Sequence, residues 1–268
     1  MITSRQNPKV QRVRELLGRS RERQAAGAFV VEGVRLVEEA EASGARPQLV
    51  LYTENLSPRG QAVIRRFDAA KAELEEVSDG VMDSLSDTET SQGILAVFPL
   101  PANQLPDRAD FLILADSIRD PGNLGTLLRT AAAAGAQAVI AGPGTADPFS
   151  PKVVRAAMGA HFHLPVVAAS WDVLSAYLDA SLRAALRVWI TDAVEGEICW
   201  EADLASPLIL VIGSEAEGVS DQARALASGS LRIPMPGGSE SLNAASAGAI
   251  LMFEVVRQRR LSGQLHIR

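Results

Sequence analysis

The chain has 268 residues, 47% of them apolar, a single cysteine and a formal net charge of −6. That length holds one large or two ordinary domains with packed cores, and the lone Cys199 excludes an internal disulfide and a cysteine-cluster metal site, which suits a reducing cytoplasm. The acidic total argues against a protein that coats nucleic acid with its whole surface, and no apolar run reaches the roughly 18 residues of a membrane span.

The opening MITSRQNPKVQRVRELL carries charges where a secretory signal needs an apolar core, so no signal peptide is expected. Up to residue 35 the bases are Arg5, Lys9, Arg12, Arg14, Arg19, Arg21, Arg23 and Arg35 against Glu15, Glu22 and Glu32, a local charge of +5. Residues 1–24 are therefore expected to form a basic arm that touches a polyanion locally through salt-sensitive phosphate contacts. A solvated helix face accounts for the same pattern.

Residues 25–98 read as a small α/β module. Short apolar runs predict strands over 29–33, 48–52 and 94–98, with helices over 34–42, 59–70 and 79–85. Residues 99–108 hold Pro99, Pro101 and Pro106 and read as a stiff linker. From 109 to 268 strands and helices alternate: strands at 111–115, 138–141, 163–167, 188–191 and 208–212, and helices at 124–134, 151–158, 171–178, 221–227 and from 244 to about 253. Such alternation predicts a parallel sheet covered by helices, with ligands bound at the C-terminal ends of the strands.

Three loops stand at those ends. The first runs from Asp116 to Gly125 and places Asn123 where a helix cap belongs. Arg129, six residues on, is the only charge between Leu124 and Gly142. A guanidinium so isolated must reach a rim, a carboxylate or an anionic ligand. The second loop, Gly213-Ser214-Glu215-Ala216-Glu217-Gly218, follows a buried strand and offers Glu215 as the partner of Arg129. The third, from Arg232 to Asn243, is rich in Pro and Gly and delivers Ser241, Leu242 and Asn243 to a helix of small residues. A backbone of that kind can wrap a small ligand.

Phosphate-loop, dinucleotide and serine-hydrolase signatures are missing from the sequence. His161 and His163 would share one face of an extended segment, yet no third ligand is evident, so no metal site is expected.

Taken together, NLGTLLR at 123–129, IGSEAEG at 212–218, and IPM at 233–235 with SLN at 241–243 resemble the SpoU (TrmH-like) family of RNA ribose 2′-O-methyltransferases, within the SPOUT class. The resemblance covers residues 110–263, and residues 25–98 look like that family's RNA substrate-binding module. It implies a C-terminal methyltransferase domain whose parallel sheet is tied in a trefoil knot, something that strand-order rules alone would not propose. It also implies S-adenosylmethionine as cofactor, held by Thr191, Gly213, Ile233 and Leu242, and a homodimer with pockets at the subunit interface. The catalytic set that it implies is Asn123, Arg129, Glu215, Ser241 and Asn243, with Arg129 acting on the 2′-hydroxyl and Glu215 orienting Arg129. Under this reading Arg5, Lys9, Arg12 and Arg35 contact RNA, ribosomal RNA is favoured over transfer RNA, and the protein is cytoplasmic. The alternatives are a non-catalytic RNA-binding or ribosome-assembly factor of the same fold, or a tRNA 2′-O-methyltransferase.

Overall fold

Val10, Val13 and Leu16 recur at every third residue of α1 (Pro8–Gly18), and each is fully or almost fully buried. The computed structural model, which describes residues 1–86, 90–102, 104–179, 186–238 and 241–264, therefore corrects the expectation of a separate basic arm. Asn7 caps α1 by accepting the Lys9 N–H at 2.9 Å, with Pro8 in the first turn. After α2 (Ser20–Ala26), Gly27 stops the helix in the left-handed conformation at φ 58°. Burying each Val or Leu side chain of α1 contributes about 1.5–3 kcal/mol, and exposed ion pairs return far less. Apolar periodicity thus overrides charge in placing this segment.

Two compact units are formed, Met1–Ala102 with Phe149–His163, and Asn103–Pro148 with Leu164–Arg268. The first continues through β1 (Ala28–Glu32), α3 (Val34–Ala42), β2 (Leu49–Tyr52), α4 (Pro58–Ala69), β3 (Leu74–Glu76), α5 (Asp79–Asp83) and β4 (Ile94–Pro99). Its four-stranded sheet has the order β1-β4-β2-β3, with β4 antiparallel to both neighbours and β2 parallel to β3. β3 was not expected, because three residues carrying two glutamates present no apolar run.

The second unit begins with β5 (Phe111–Ala115), α6 (Pro121–Ala134) and β6 (Ala138–Ala141). The chain then returns to the first unit, where α7 (Pro151–Ala157) packs on β1. This corrects the assignment of 151–158 to the second unit. Aromatic contacts explain the return: Phe149 lies 5.2 Å from Phe29, and Phe162 lies 5.2 Å from Phe98, between ring centroids. A single 3-10 turn at Ala160–Phe162 replaces the extended segment expected there. His161 is buried beside Phe149, and His163 meets Glu39 at 2.8 Å.

The chain resumes the second unit with β7 (Val166–Ala168), α8 (Trp171–Asp179), β8 (Arg187–Thr191), β9 (Glu197–Ile198), β10 (Leu208–Ile212), α9 (Asp221–Leu226), β11 (Gly229–Arg232) and α10 (Ala244–Leu261). Its seven-stranded sheet has the order β7-β6-β5-β10-β8-β11-β9, and every pairing is parallel. The strands β5, β6 and β10 are buried throughout, as continuous apolar runs require when helices cover both faces. α10 lies close against α6 because residue 248 is glycine: a Cβ there would stand 2.6 Å from Leu127 Cδ1. Among the described residues no helix is long and apolar enough to cross a membrane.

Candidate active site

Parallel register brings the loops together. Ile212 of β10 pairs with Ala115 of β5, and Val211 pairs with Ile190 of β8, so the segments that follow these strands leave the same sheet edge side by side. Leu231 of β11 stands opposite Thr191, which brings the loop after β11 to that edge as well. Asp116, fully buried, stitches two of the loops: its N–H donates to Ile212 O at 2.9 Å and its Oδ2 accepts from Ser220 N–H at 2.7 Å. Sequence reasoning did not single out Asp116. An Asp directly after a buried strand was the available signal.

Asn123 is not the cap of α6. Asp120 holds that position, accepting the Asn123 N–H at 2.8 Å, and Pro121 opens the helix. Proline is favoured in a first turn because its missing N–H would have no partner there. The correction matters chemically, since the Asn123 side chain is left to work elsewhere.

It meets Glu215. Asn123 Nδ2 donates to Glu215 Oε1 at 3.0 Å, Asn243 Nδ2 donates to the same oxygen and to Asn123 Oδ1 at 2.9 Å, and the Ala244 N–H donates to Glu215 Oε1 at 3.2 Å. Asn243 is also the N-cap of α10, its Oδ1 accepting the Ser246 N–H at 3.1 Å. One carboxylate oxygen thus joins the start of α6, the loop after β10 and the start of α10. The positive end of the α10 dipole favours the negative charge there.

Arg129 lies apart from this cluster, so the expected Glu215–Arg129 pair is corrected. Six residues along a helix carry Arg129 about 240° around the axis and about 9 Å along it from Asn123. It is exposed, and among the described residues it has no hydrogen bond or ion pair. Glu215 is engaged by amides, which leaves the guanidinium available to an anion.

A cavity of about 300 Å³ adjoins the cluster. Thr191, Gly213, Ile233, Leu242, Glu215 and Ser241 all line it, whereas Asn123, Arg129 and Asn243 do not. Gly213 is required there, because a Cβ would fall 2.4 Å from the Gly218 carbonyl carbon. Asp192 and Arg224, absent from the sequence-based set, also line the cavity and pair at 3.3 Å. The Val194 N–H, together with the Glu195 N–H and Arg224, holds the Asp192 carboxyl below its usual range. Residues 239–240 of the third loop lie outside the described residues. Among the described residues no group of three or more His, Cys, Asp or Glu side chains could hold a metal ion.

Comparison with known proteins places this geometry. Residues 110–253 match the SpoU rRNA Methylase family, and residues 7–96 match the MRM3-like substrate binding domain. The chain belongs to the SpoU rRNA methylase family. It is 34% identical to the Bacillus subtilis 23S rRNA (guanosine(2553)-2'-O)-methyltransferase over 95% of this chain and 98% of that one. Identity is also 34% to the Streptomyces viridochromogenes 23S rRNA (uridine(2479)-2'-O)-methyltransferase, over 98% of this chain and 93% of the relative. The crystal structure of the SpoU methyltransferase AviRb from Streptomyces viridochromogenes, in complex with the cofactor AdoMet, superposes with a TM-score of 0.84 at 32% identity, covering 96% of this chain and all of that one. SpoU members match both parts of the chain, including the N-terminal helices within 7–96.

Proposed function

We propose that this chain is an S-adenosylmethionine-dependent methyltransferase that modifies ribose 2′-hydroxyls of ribosomal RNA. The observation that carries this reading is the Asn123–Glu215–Asn243 cluster at the edge of a cavity walled by Thr191, Gly213, Ile233 and Leu242. Full-length relatives named as 23S rRNA 2'-O-methyltransferases support ribosomal RNA over transfer RNA.

The residues fit the cofactor. Ile212, Leu231, Ile233 and Leu251 give the cavity apolar walls, the Gly213 backbone approaches without a side chain, and the volume lies at the lower end of the range for small-molecule sites. When bound, S-adenosylmethionine supplies an electrophilic methyl group on a sulfonium. The chain must hold the hydroxyl in line, stabilise the charge that develops on its oxygen and exclude water. A guanidinium is a poor base. Arg129 therefore acts as the cation: it holds the adjacent phosphate and stabilises the alkoxide, while the proton passes to phosphate or water. Asn123 and Asn243, fixed by their shared acceptor, shape the pocket beside Ser241.

We also propose a homodimer. Ile250 and Phe253, 41% and 50% exposed, stand one turn apart on α10 as apolar surface for a second copy. We further propose the trefoil knot in the segments around β11 and α10, and a cytoplasmic location, to which the single cysteine is suited.

The test is incubation with labelled S-adenosylmethionine and ribosomal RNA, followed by nucleoside analysis, beside Arg129→Ala and Arg129→Lys. The expected result is a 2′-O-methylated nucleoside from the unmodified protein and a loss of about 10²–10³ in rate for Arg129→Ala. Nearly full turnover by Arg129→Lys overturns the role given to Arg129, and failure to bind the cofactor overturns the enzyme itself.

A further inference from the structure

Two cavities in the first unit share a wall. The larger, about 880 Å³, reaches Thr53, Asn55, Arg59, Asp79 and Asp83. The smaller, about 350 Å³, reaches Glu32, Leu36, Arg155 and Met158. Arg35, Thr90 and Gln92 line both. We propose that this paired cavity is a nucleotide-reading site: it takes one unstacked base of the RNA substrate in the smaller chamber and holds the attached phosphate on Arg35. The inference rests on the RNA reading above and adds where, and by which groups, the first unit grips that RNA.

Several cations of this unit already have partners. Lys9 is bridged by Glu73 and Glu75, Arg59 pairs with Glu38, and Arg66 pairs with Glu41 at 2.7 Å. Arg155 lies 3.5 Å from Glu32 in the wall of the smaller chamber. Arg5 and Arg12 spend donors on Gly80 O and Gln48 Oε1. Arg35 is exposed and, among the described residues, has neither a hydrogen bond nor an ion pair. A fork of five donors left open at a cavity wall is suited to phosphate. Of the four expected RNA contacts, Arg35 is the one proposed here, while Lys9 is already paired with Glu73 and Glu75.

The shared wall also offers a directional reader. Gln92 Oε1 accepts the Val34 N–H at 2.8 Å, which fixes the amide and leaves Nε2 with two hydrogens and no acceptor among the described residues. An amide oriented by the backbone can address a base edge, the usual route to sequence in single-stranded RNA. Leu36 and Met158 give the smaller chamber apolar surface for a base face. Met158 holds φ 51° and ψ 40°, a left-handed conformation that is strained for a non-glycine residue and clusters at ligand sites. Across the larger chamber, Asp79 accepts from Asn55 at 3.2 Å with Asp83 nearby, so phosphate is repelled there and kept to the Arg35 wall.

The experiment uses the full chain and a ribosomal RNA fragment carrying 4-thiouridine, crosslinked by near-ultraviolet light, with the crosslinked peptides mapped. In parallel, RNA affinity is measured against salt concentration for the unmodified protein, Arg35→Ala and Gln92→Ala, and cofactor binding is followed separately by calorimetry. The expected crosslinks fall near residues 33–36, 90–92 and 155–158. Arg35→Ala should weaken binding about tenfold and reduce the salt slope by about one phosphate, a change that a merely structural role would not produce. Gln92→Ala should weaken binding without changing the slope. Crosslinks confined to the second unit, or an Arg35→Ala protein with unchanged affinity and slope, overturn this proposal alone. An unmodified protein that binds cofactor but no ribosomal RNA overturns the parent reading and this one with it.

Discussion

On the surface of the first unit, Lys9, Arg59 and Arg66 close onto Glu73, Glu75, Glu38 and Glu41, whereas at the sheet edge of the second unit one oxygen of Glu215 accepts two asparagine amides and a helix N–H while Arg129 has no ion pair among the described residues. The first arrangement gives each cation an acidic partner. The second uses neutral groups to fix a carboxylate, so Arg129 is not neutralised by it. Proximity of opposite charges in sequence is therefore a weak guide to which cations bind anions. What decides is which donors the folded chain brings to each carboxylate first.

The sharpest way to break this contrast is at the amide cluster. Glu215→Ala removes the acceptor common to Asn123, Asn243 and Ala244, and turnover should fall about hundredfold, with a smaller loss in cofactor affinity. Unchanged turnover would show that the asparagines hold their places without it. A smaller effect belongs to Glu254, which is buried and held below the usual carboxylate range by its hydrogen bonds to Arg257. A depressed value means that the charged form stabilises the fold above the unfolded pKa of about 4.3, and that this stability is lost as pH falls through the folded value. Glu254→Gln should melt a few degrees lower at neutral pH, with the difference closing below about pH 4; a pH-independent difference would rule out ionisation as its source. The least change is expected from Lys9→Ala, whose ribosomal RNA affinity should shift by less than about twofold because its charge is already matched. A tenfold loss in a filter-binding assay would restore the basic-arm reading.

Much of this architecture is legible in the sequence. The apolar runs give β5, β6 and β10 with the bounds the structure shows, and helix α3 as well. α6 starts three residues earlier than read, because Asp120-Pro121 is a stronger helix opening than Asn123-Leu124. In the N-terminal helices the many charges mask apolar residues that recur at helical spacing. In the site, six of the nine residues assigned to catalysis or cofactor line one cavity, and Asn123 and Asn243 join it through Glu215. The partner of Glu215 is not legible in the sequence for a physical reason. Asn123 and Asn243 are 92 and 28 residues from it, and only the folded sheet edge shows that amides reach the carboxylate first.

The return of Phe149–His163 to the first unit has a consequence for how the protein is made. Synthesis delivers the chain from its N-terminus, and domains tend to fold as they emerge. Here β1 and β4 leave the ribosome long before Phe149 and Phe162 arrive to complete the aromatic cluster. By then β5, α6 and β6 have already been translated, so the earlier unit is finished later than the opening part of its successor. Maturation is nested rather than sequential, and a gene cut at the proline-rich linker would yield an amino-terminal fragment without the rings that seal it.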